Sequence, residues 1–428
     1  MPNGRADGRS RWPADPRATL ACLSSDGVPP ELEFPGFHEL LPESGLTGFR
    51  NRSDRFAREA QELAVVTAVL RVRSASSLLT RFRVNTFPAP DPRPASSRAP
   101  PAAAAATTTA SLSLEELRRG CTTWTWRGMR VNYLARGQGP PVLLVHGFGA
   151  SVAHWRRNIG VLSESYTVYA IDLLGFGASD KPAGFSYTME TWAELILDFL
   201  NEVVKRPTVL VGNSVGSLAC VIAASESSRD VVRGLVLLNC AGGMNNKAIV
   251  DDWRIKLLLP LLWLIDFLLN QRPIASALFN RVKNRDNLND ILLSVYGNKD
   301  AVDDELVESE STYTHTQIIS GPADTEGALD AFVSTVTGPP GPSPIALMPR
   351  LADVPVLVLW GDRDPFTPID GPVGKFFSKL PSELPNVTLH MLEGVGHCPH
   401  DDRPDLVHER LLPWLDGLPP PPAGAAAV

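Results

Sequence analysis

Val209-Leu-Val-Gly212-Asn213-Ser214-Val215-Gly216-Ser217 decides the fold. Thr208–Gly212 is a short apolar run that reads as a buried strand, and Leu218–Ala223 reads as an apolar helix. Between them stands G-x-S-x-G. A serine on so sharp a strand-to-helix turn occupies a strained backbone conformation. Side chains two residues to either side would collide, so glycine is required at 212 and 216. The turn lifts Ser214 Oγ above the sheet. The following helix then aims its N-terminal N–H groups and positive dipole end at the same point. A glycine-rich turn at any strand–helix junction could show the same spacing, so the partners decide.

Outward from this turn, further buried-strand runs appear at Pro141–His146, Thr167–Leu173, Gly234–Asn239, Val354–Trp360 and Val387–Leu392. Helical patterns lie between most of them. Short continuous apolar runs separated by helices indicate a mostly parallel sheet covered on both faces. Ahead of them, Thr123–Tyr133 alternates around Arg127-Gly128, which predicts a β-hairpin. The roughly 115 residues between the runs at 234–239 and 354–360 carry helical periodicity and no clear strand. That is too long for a crossover and predicts an inserted helical lid. The expected layout is a core at 114–243 and 353–418, a lid at 244–352 and a disordered tail at 419–428.

Three more segments offer partners for Ser214. Val142-Leu-Leu-Val-His146-Gly147-Phe148-Gly149 is a strand ending in H-G-x-G. An oxyanion hole needs two N–H donors aimed at the developing charge. Val215, next after the serine, supplies one, and Phe148 is the best placed to supply the other. His146 closes its strand before the turn, so a structural hydrogen-bonding role is expected of it rather than that of a base. Trp360-Gly-Asp362-Arg-Asp364-Pro365 delivers two carboxylates. Asp364 is favoured as the acid that orients a histidine, because the turn must extend a few residues beyond the strand. Asp362 is left as a solvated turn residue or a partner for Arg363. Gly394-Val-Gly396-His397-Cys398-Pro-His400 follows the last strand. His397 is the expected general base and His400 a surface or loop-stabilising alternative. Cys398 is expected to pack as a small side chain. The chain order Ser214, Asp364, His397 is that of α/β-hydrolases.

Composition excludes several classes. The 428 residues carry 40 Lys+Arg against 47 Asp+Glu, an acidity that argues against a nucleic-acid binder held by phosphate contacts. Five cysteines without any C-x-x-C imply neither a disulfide framework nor a zinc cluster. No metal or organic cofactor is implied. The longest apolar run, Leu257–Leu269, is thirteen residues broken by Pro260 and Asp266, short of the ~20 that a spanning helix needs.

Residues 1–128 hold seventeen Arg, no Lys and thirteen acidic residues, whereas 129–428 hold 23 basic and 34 acidic residues. Within Arg71–Ser113, six Arg stand against one acid, Asp91, among many Ser, Thr, Pro and Ala. Such a segment buries too little apolar surface to fold. Its composition is that of an organelle transit peptide, with a low-complexity linker as the plainer reading. Residues 1–113 are therefore expected to be a disordered extension containing a transit peptide. About seventy residues precede the Arg-rich stretch, which is unusual for one.

Over roughly residues 120–418 the chain resembles the α/β-hydrolase fold. Five stretches are similar to the plant chlorophyll dephytylase group, relatives of pheophytinase: Gly212–Cys220, Leu237–Gly243, Gly338–Pro342, Trp360–Pro368 and Gly394–Pro404. The resemblance implies a chloroplast enzyme, associated with the thylakoid membrane, that hydrolyses the phytyl ester of chlorophyll or a related pigment. It places Ser214, Asp364 and His397 on the matching catalytic positions. A phytyl chain calls for a greasy lid, and Leu257, Trp263 and Phe267 are the expected contacts. Against the family pattern, Glu308–Ile318 looks like an insertion in the lid. A different apolar ester, or a ligand receptor on a hydrolase scaffold, are the alternative functions.

Overall fold

The computed structural model describes residues 111–245, 263–307, 318 and 320–419. The expected N-terminal extension, Leu257, nearly all of 308–318 and the tail from 420 onward lie outside the described residues.

Eight strands form one sheet in the order β1-β2-β4-β3-β5-β6-β7-β8. They are β1 (Cys121–Trp126), β2 (Met129–Arg136), β3 (Pro141–Val145), β4 (Thr167–Ile171), β5 (Thr208–Asn213), β6 (Val232–Leu238), β7 (Val356–Gly361) and β8 (Val387–Leu392). The pairs β1–β2 and β2–β4 are antiparallel. Every other pair is parallel. The predicted hairpin is present. Trp126 pairs with Met129, and Arg127 and Gly128 both have positive φ, 50° and 83°, the two-residue turn that matches strand twist.

The central strands are mainly apolar because both faces of the sheet are covered, and β3 and Val356–Trp360 of β7 are apolar throughout. Leu143 and Val145 of β3 join one core cluster with Leu235 and Leu237 of β6 and Val356, Val358 and Trp360 of β7. Their neighbours Val142, Leu144, Val236, Leu238, Leu357 and Leu359 join the other. The alternation is the two-residue period of a strand read on both sides.

Helices α1 (Leu114–Gly120) and α2 (Arg156–Leu162) bring Leu117 and Ile159 to one face. Helix α3 (Met189–Phe199) covers the opposite face with Trp192 and Ile196. On that same face α4 (Val215–Ser225) is buried along almost its whole length. The expected lid region is helical where it is described: α5 (Arg272–Val282), α6 (Arg285–Val295) and α7 (Ala328–Thr337) are its longer pieces. Beyond it come α8 (Pro372–Glu383), α9 (Pro399–Asp402) and α10 (Pro404–Asp416). Trp263 and Phe267, on the helical turns at 263–269, are 74% and 62% exposed. Among the described residues no helix is long and apolar enough to cross a membrane.

Candidate active site

Ser214 stands between β5 and α4 with φ 55° and ψ −121°. A non-glycine residue at positive φ is uncommon, and the strain must be held by its surroundings. Here the Ser214 N–H donates to the Leu238 carbonyl at 3.0 Å and its carbonyl accepts the Ala241 N–H at 3.1 Å. The two glycines are required for the reason the spacing suggests. A Cβ on Gly212 would lie 2.5 Å from Ser217 N, and one on Gly216 would lie 2.3 Å from the His146 carbonyl oxygen.

That close approach seats the loop after β3 beside the serine. A Cβ on Gly147 would lie 3.2 Å from Ser214 Cβ. Among the described residues, the main-chain N–H groups of Phe148 and Val215 have no hydrogen-bond partner in the protein. Two free donors flanking a nucleophile can receive an anionic oxygen. The Phe148 ring packs against Phe176 at 5.6 Å and Phe332 of α7 at 6.1 Å between centroids, and Phe332 meets Phe279 of α5 at 5.1 Å.

His397 and Asp364 come together beyond the ends of β8 and β7. His397 Nδ1 and Asp364 Oδ2 are 2.7 Å apart in a buried contact. An ionised carboxylate only accepts, so Nδ1 carries a proton, and in the neutral ring the lone pair is on Nε2. Asp364 Oδ2 also accepts from Asn239 Nδ2 at 2.7 Å and Thr367 Oγ1 at 2.5 Å, while Oδ1 accepts the Phe366 and Thr367 N–H groups. Burial alone would raise the Asp364 carboxyl. The facing His397 and the Thr367 donors outweigh it and hold the group below the ordinary carboxylate value. On the serine side, Asn213 Nδ2 donates to the His397 carbonyl at 2.9 Å. The Phe366 ring stands edge-on to the imidazole at 5.0 Å.

The neighbouring candidates fall elsewhere. His146 is fully buried; its Nε2 accepts the Leu173 N–H at 3.1 Å, so its Nδ1 donates to the Gly147 carbonyl at 2.7 Å. It fixes the turn before Phe148. Asp362 is an exposed turn residue, as expected, and its Oδ1 accepts the Gly394 N–H at 2.7 Å, tying the end of β7 to the turn that leads into His397. One expectation needs correction. His400 is not at the surface. It is fully buried, its ring lies 4.1 Å from that of Trp155, and its Nε2 is 3.3 Å from His154 Nδ1. Cys398 is buried, and desolvation pushes its thiol well above the ordinary value, as expected of a packed side chain. Asn239 carried no signal in the sequence beyond a polar residue closing an apolar strand.

The alpha/beta hydrolase fold family matches residues 140–404, and the chain belongs to it. Among relatives, it is 26% identical over 278 residues to an uncharacterized hydrolase, YugF, of Bacillus subtilis strain 168, spanning 64% of this chain and 89% of that protein. It is 27% identical over 332 residues to the chloroplastic pheophytinase of Arabidopsis thaliana, spanning 68% of this chain and 65% of that protein. Among solved structures, the epoxide hydrolase CorEH superposes with a TM-score of 0.53 at 19% identity, covering 70% of this chain and 99% of that one. At that identity the likeness speaks for the fold alone.

Proposed function

We propose that this hydrolase is a serine carboxylic-ester hydrolase, and that it cleaves the phytyl ester of chlorophyll or a related pigment to chlorophyllide and phytol. The observation that carries the reaction type is the buried His397–Asp364 contact beside a serine held at positive φ. In this reading His397 Nε2 takes the proton from Ser214 Oγ as the oxygen attacks the ester carbonyl. The Phe148 and Val215 amides receive the developing oxyanion. His397 then hands the proton to the departing alcohol, and Asp364 stabilises the imidazolium while it lasts. A water molecule activated in the same way releases the acyl group.

Three observations support the substrate. The motif stretches at 212–220, 237–243, 338–342, 360–368 and 394–404 resemble dephytylases. The relative from Arabidopsis is a pheophytinase. The rings of Phe148, Phe332 and Phe279 extend an apolar wall from the serine toward the covering helices, which suits a long branched hydrocarbon. We place the protein in the chloroplast on the Arg-rich, acid-poor stretch Arg71–Ser113. We read Trp263 and Phe267 as contacts for the pigment or for the thylakoid surface that holds it. A different apolar ester is the second reading, since the same wall of aromatic rings would suit one.

The test mixes the full chain with chlorophyll a in detergent beside a short-chain aryl ester, with Ser214→Ala as control. Chlorophyllide formed by the parent and not by the variant supports the whole reading. Cleavage of the short ester alone keeps the chemistry and discards the pigment. No Ser214-dependent turnover of either overturns both.

A further inference from the structure

Asp402 makes contacts that ester hydrolysis has not yet used. It closes α9 and is 1% exposed. Its Oδ2 accepts the Gly396 N–H at 2.6 Å and the Gly297 N–H at 2.8 Å. Its Oδ1 accepts the Asn298 N–H at 2.7 Å. One of these donors belongs to the residue before His397. The other two lie just past the end of α6, in the covering region. A buried carboxylate survives only where donors replace the water it has lost, and three short N–H contacts do so.

The two segments also touch directly. The His397 N–H donates to the Val295 carbonyl at 2.9 Å. A Cβ on Gly396 would lie 2.0 Å from that same carbonyl oxygen, and one on Gly297 would lie 2.0 Å from the Gly394 carbonyl oxygen. Backbone meets backbone here, with no side chain to cushion a shift.

Behind the carboxylate runs a chain of buried polar groups. Tyr296 OH donates to Asp401 Oδ2 at 2.9 Å and so accepts from His154 Nε2, also at 2.9 Å. Arg156, 1% exposed, donates Nε to Asp401 and Nη1 to both Asp303 and Glu305. These bonds fasten residues 296–305 to α2 and α9, so the segment that Asp402 grips is itself anchored.

We propose that Asp402 is a positioning residue for His397. Its carboxylate holds the Gly396 peptide in register, and through Gly297 and Asn298 it makes the place of the base depend on the seat of α6. The proposal rests on the reading of Ser214 as nucleophile and His397 as base.

The test compares the full chain with Asp402→Ala, Asp402→Asn and Ser214→Ala, using 4-nitrophenyl butyrate as the probe. A base displaced by a fraction of an ångström to an ångström should cost kcat about 10- to 100-fold. KM should stay within about threefold, since the ester's binding contacts are elsewhere. Asp402→Asn keeps the volume and one acceptor oxygen, so it should fall between parent and Asp402→Ala. The second readout is the downfield imidazole N–H proton resonance, assigned by its loss in His397→Gln. It should broaden or shift in Asp402→Ala in a protein that still melts cooperatively. An unchanged kcat and an unchanged resonance in folded Asp402→Ala would overturn the proposal. So would loss of the fold in both Asp402 variants, which would make the residue a structural anchor. If Ser214→Ala turns over the ester as fast as the parent, the hydrolytic reading has failed instead, and the resonance alone then judges Asp402.

Discussion

Asn239 Nδ2 and His397 Nδ1 both donate to one oxygen, Asp364 Oδ2, each at 2.7 Å. Asn239 also accepts the Gly361 N–H at 3.0 Å, so it joins the end of β6 to the end of β7. It holds this place with φ 43°. The carboxylate that faces His397 is thus fixed by a residue from the strand beside its own. Asn239→Ala removes one charge-assisted hydrogen bond, a loss of about 1.5 kcal/mol, and should lower kcat/KM about tenfold. Asn239→Asp sets a second carboxylate against the first. Like charges raise the carboxyl and favour the imidazolium, so the acidic limb of the pH–activity profile should move upward. An unmoved limb would show that Asn239 does not influence the pair.

Glycine at 216 is a question of space. Both atoms nearest its imagined Cβ are main-chain oxygens, those of His146 and Val145 at 2.3 and 2.5 Å. Neither can rotate away. Gly216→Ala should destabilise the protein by about 3 kcal/mol, read as a lower urea midpoint, and should abolish turnover in whatever fraction stays folded.

Stability should depend on pH through histidines that are buried uncharged. Burial lowers His154 and His408 to about 4, against 6.5 for the free side chain. The unfolded chain therefore binds more protons between those values. The stability these groups contribute is present above about 6.5 and is lost as pH falls toward 4. The melting temperature should be level from pH 8 to 6.5 and then decline. His408→Gln keeps a donor for Asn158 Oδ1, which His408 Nε2 meets at 3.2 Å. It should make the decline shallower, and an equal slope in parent and variant would rule His408 out.

Trp263 and Phe267 separate the two substrate readings. Both are exposed, so replacing either with serine should change stability by no more than about 0.5 kcal/mol. If they meet the pigment or its membrane, the double variant should raise KM for chlorophyll a severalfold and leave the short-chain ester unaffected. Equal kinetics on chlorophyll would remove them from the site.

Much of the architecture could be read from the chain because each strand carries its own evidence. Leu143-Leu144-Val145 and Val356–Trp360 are apolar at every position, which a sheet covered on both faces demands. Ser214, Asp364 and His397 could be nominated because each follows a strand within a few residues. The supporting contacts could not be read. Asp402 meets Gly297 across 105 positions, Asn239 meets Asp364 across 125, and Arg156 meets Asp401 across 245. Nothing local in Asp402 tells it from a surface aspartate. Arg156, at the start of a helix beside Arg157, looks solvated in the sequence yet is buried. The surface alternative for His400 fails for the same reason: periodicity tells which face of an element turns inward, not which distant loop closes over it. Asp362 was legible as a turn residue, but its partner, Gly394, lies beyond a whole helix and strand.

The thiol next to His397 has a consequence for how the protein can be silenced. Cys398, Cys220 and Cys240 are all buried with their thiols pushed up by desolvation, so none offers a thiolate to an alkylating agent or a peroxide at neutral pH. On the proposed mechanism an organophosphate that seeks a hydroxyl would stop turnover, while iodoacetamide would leave these three sulfurs unmodified. If the proposed pigment is the substrate, that asymmetry matters: the oxidants that light generates around it would find no thiolate to attack beside His397.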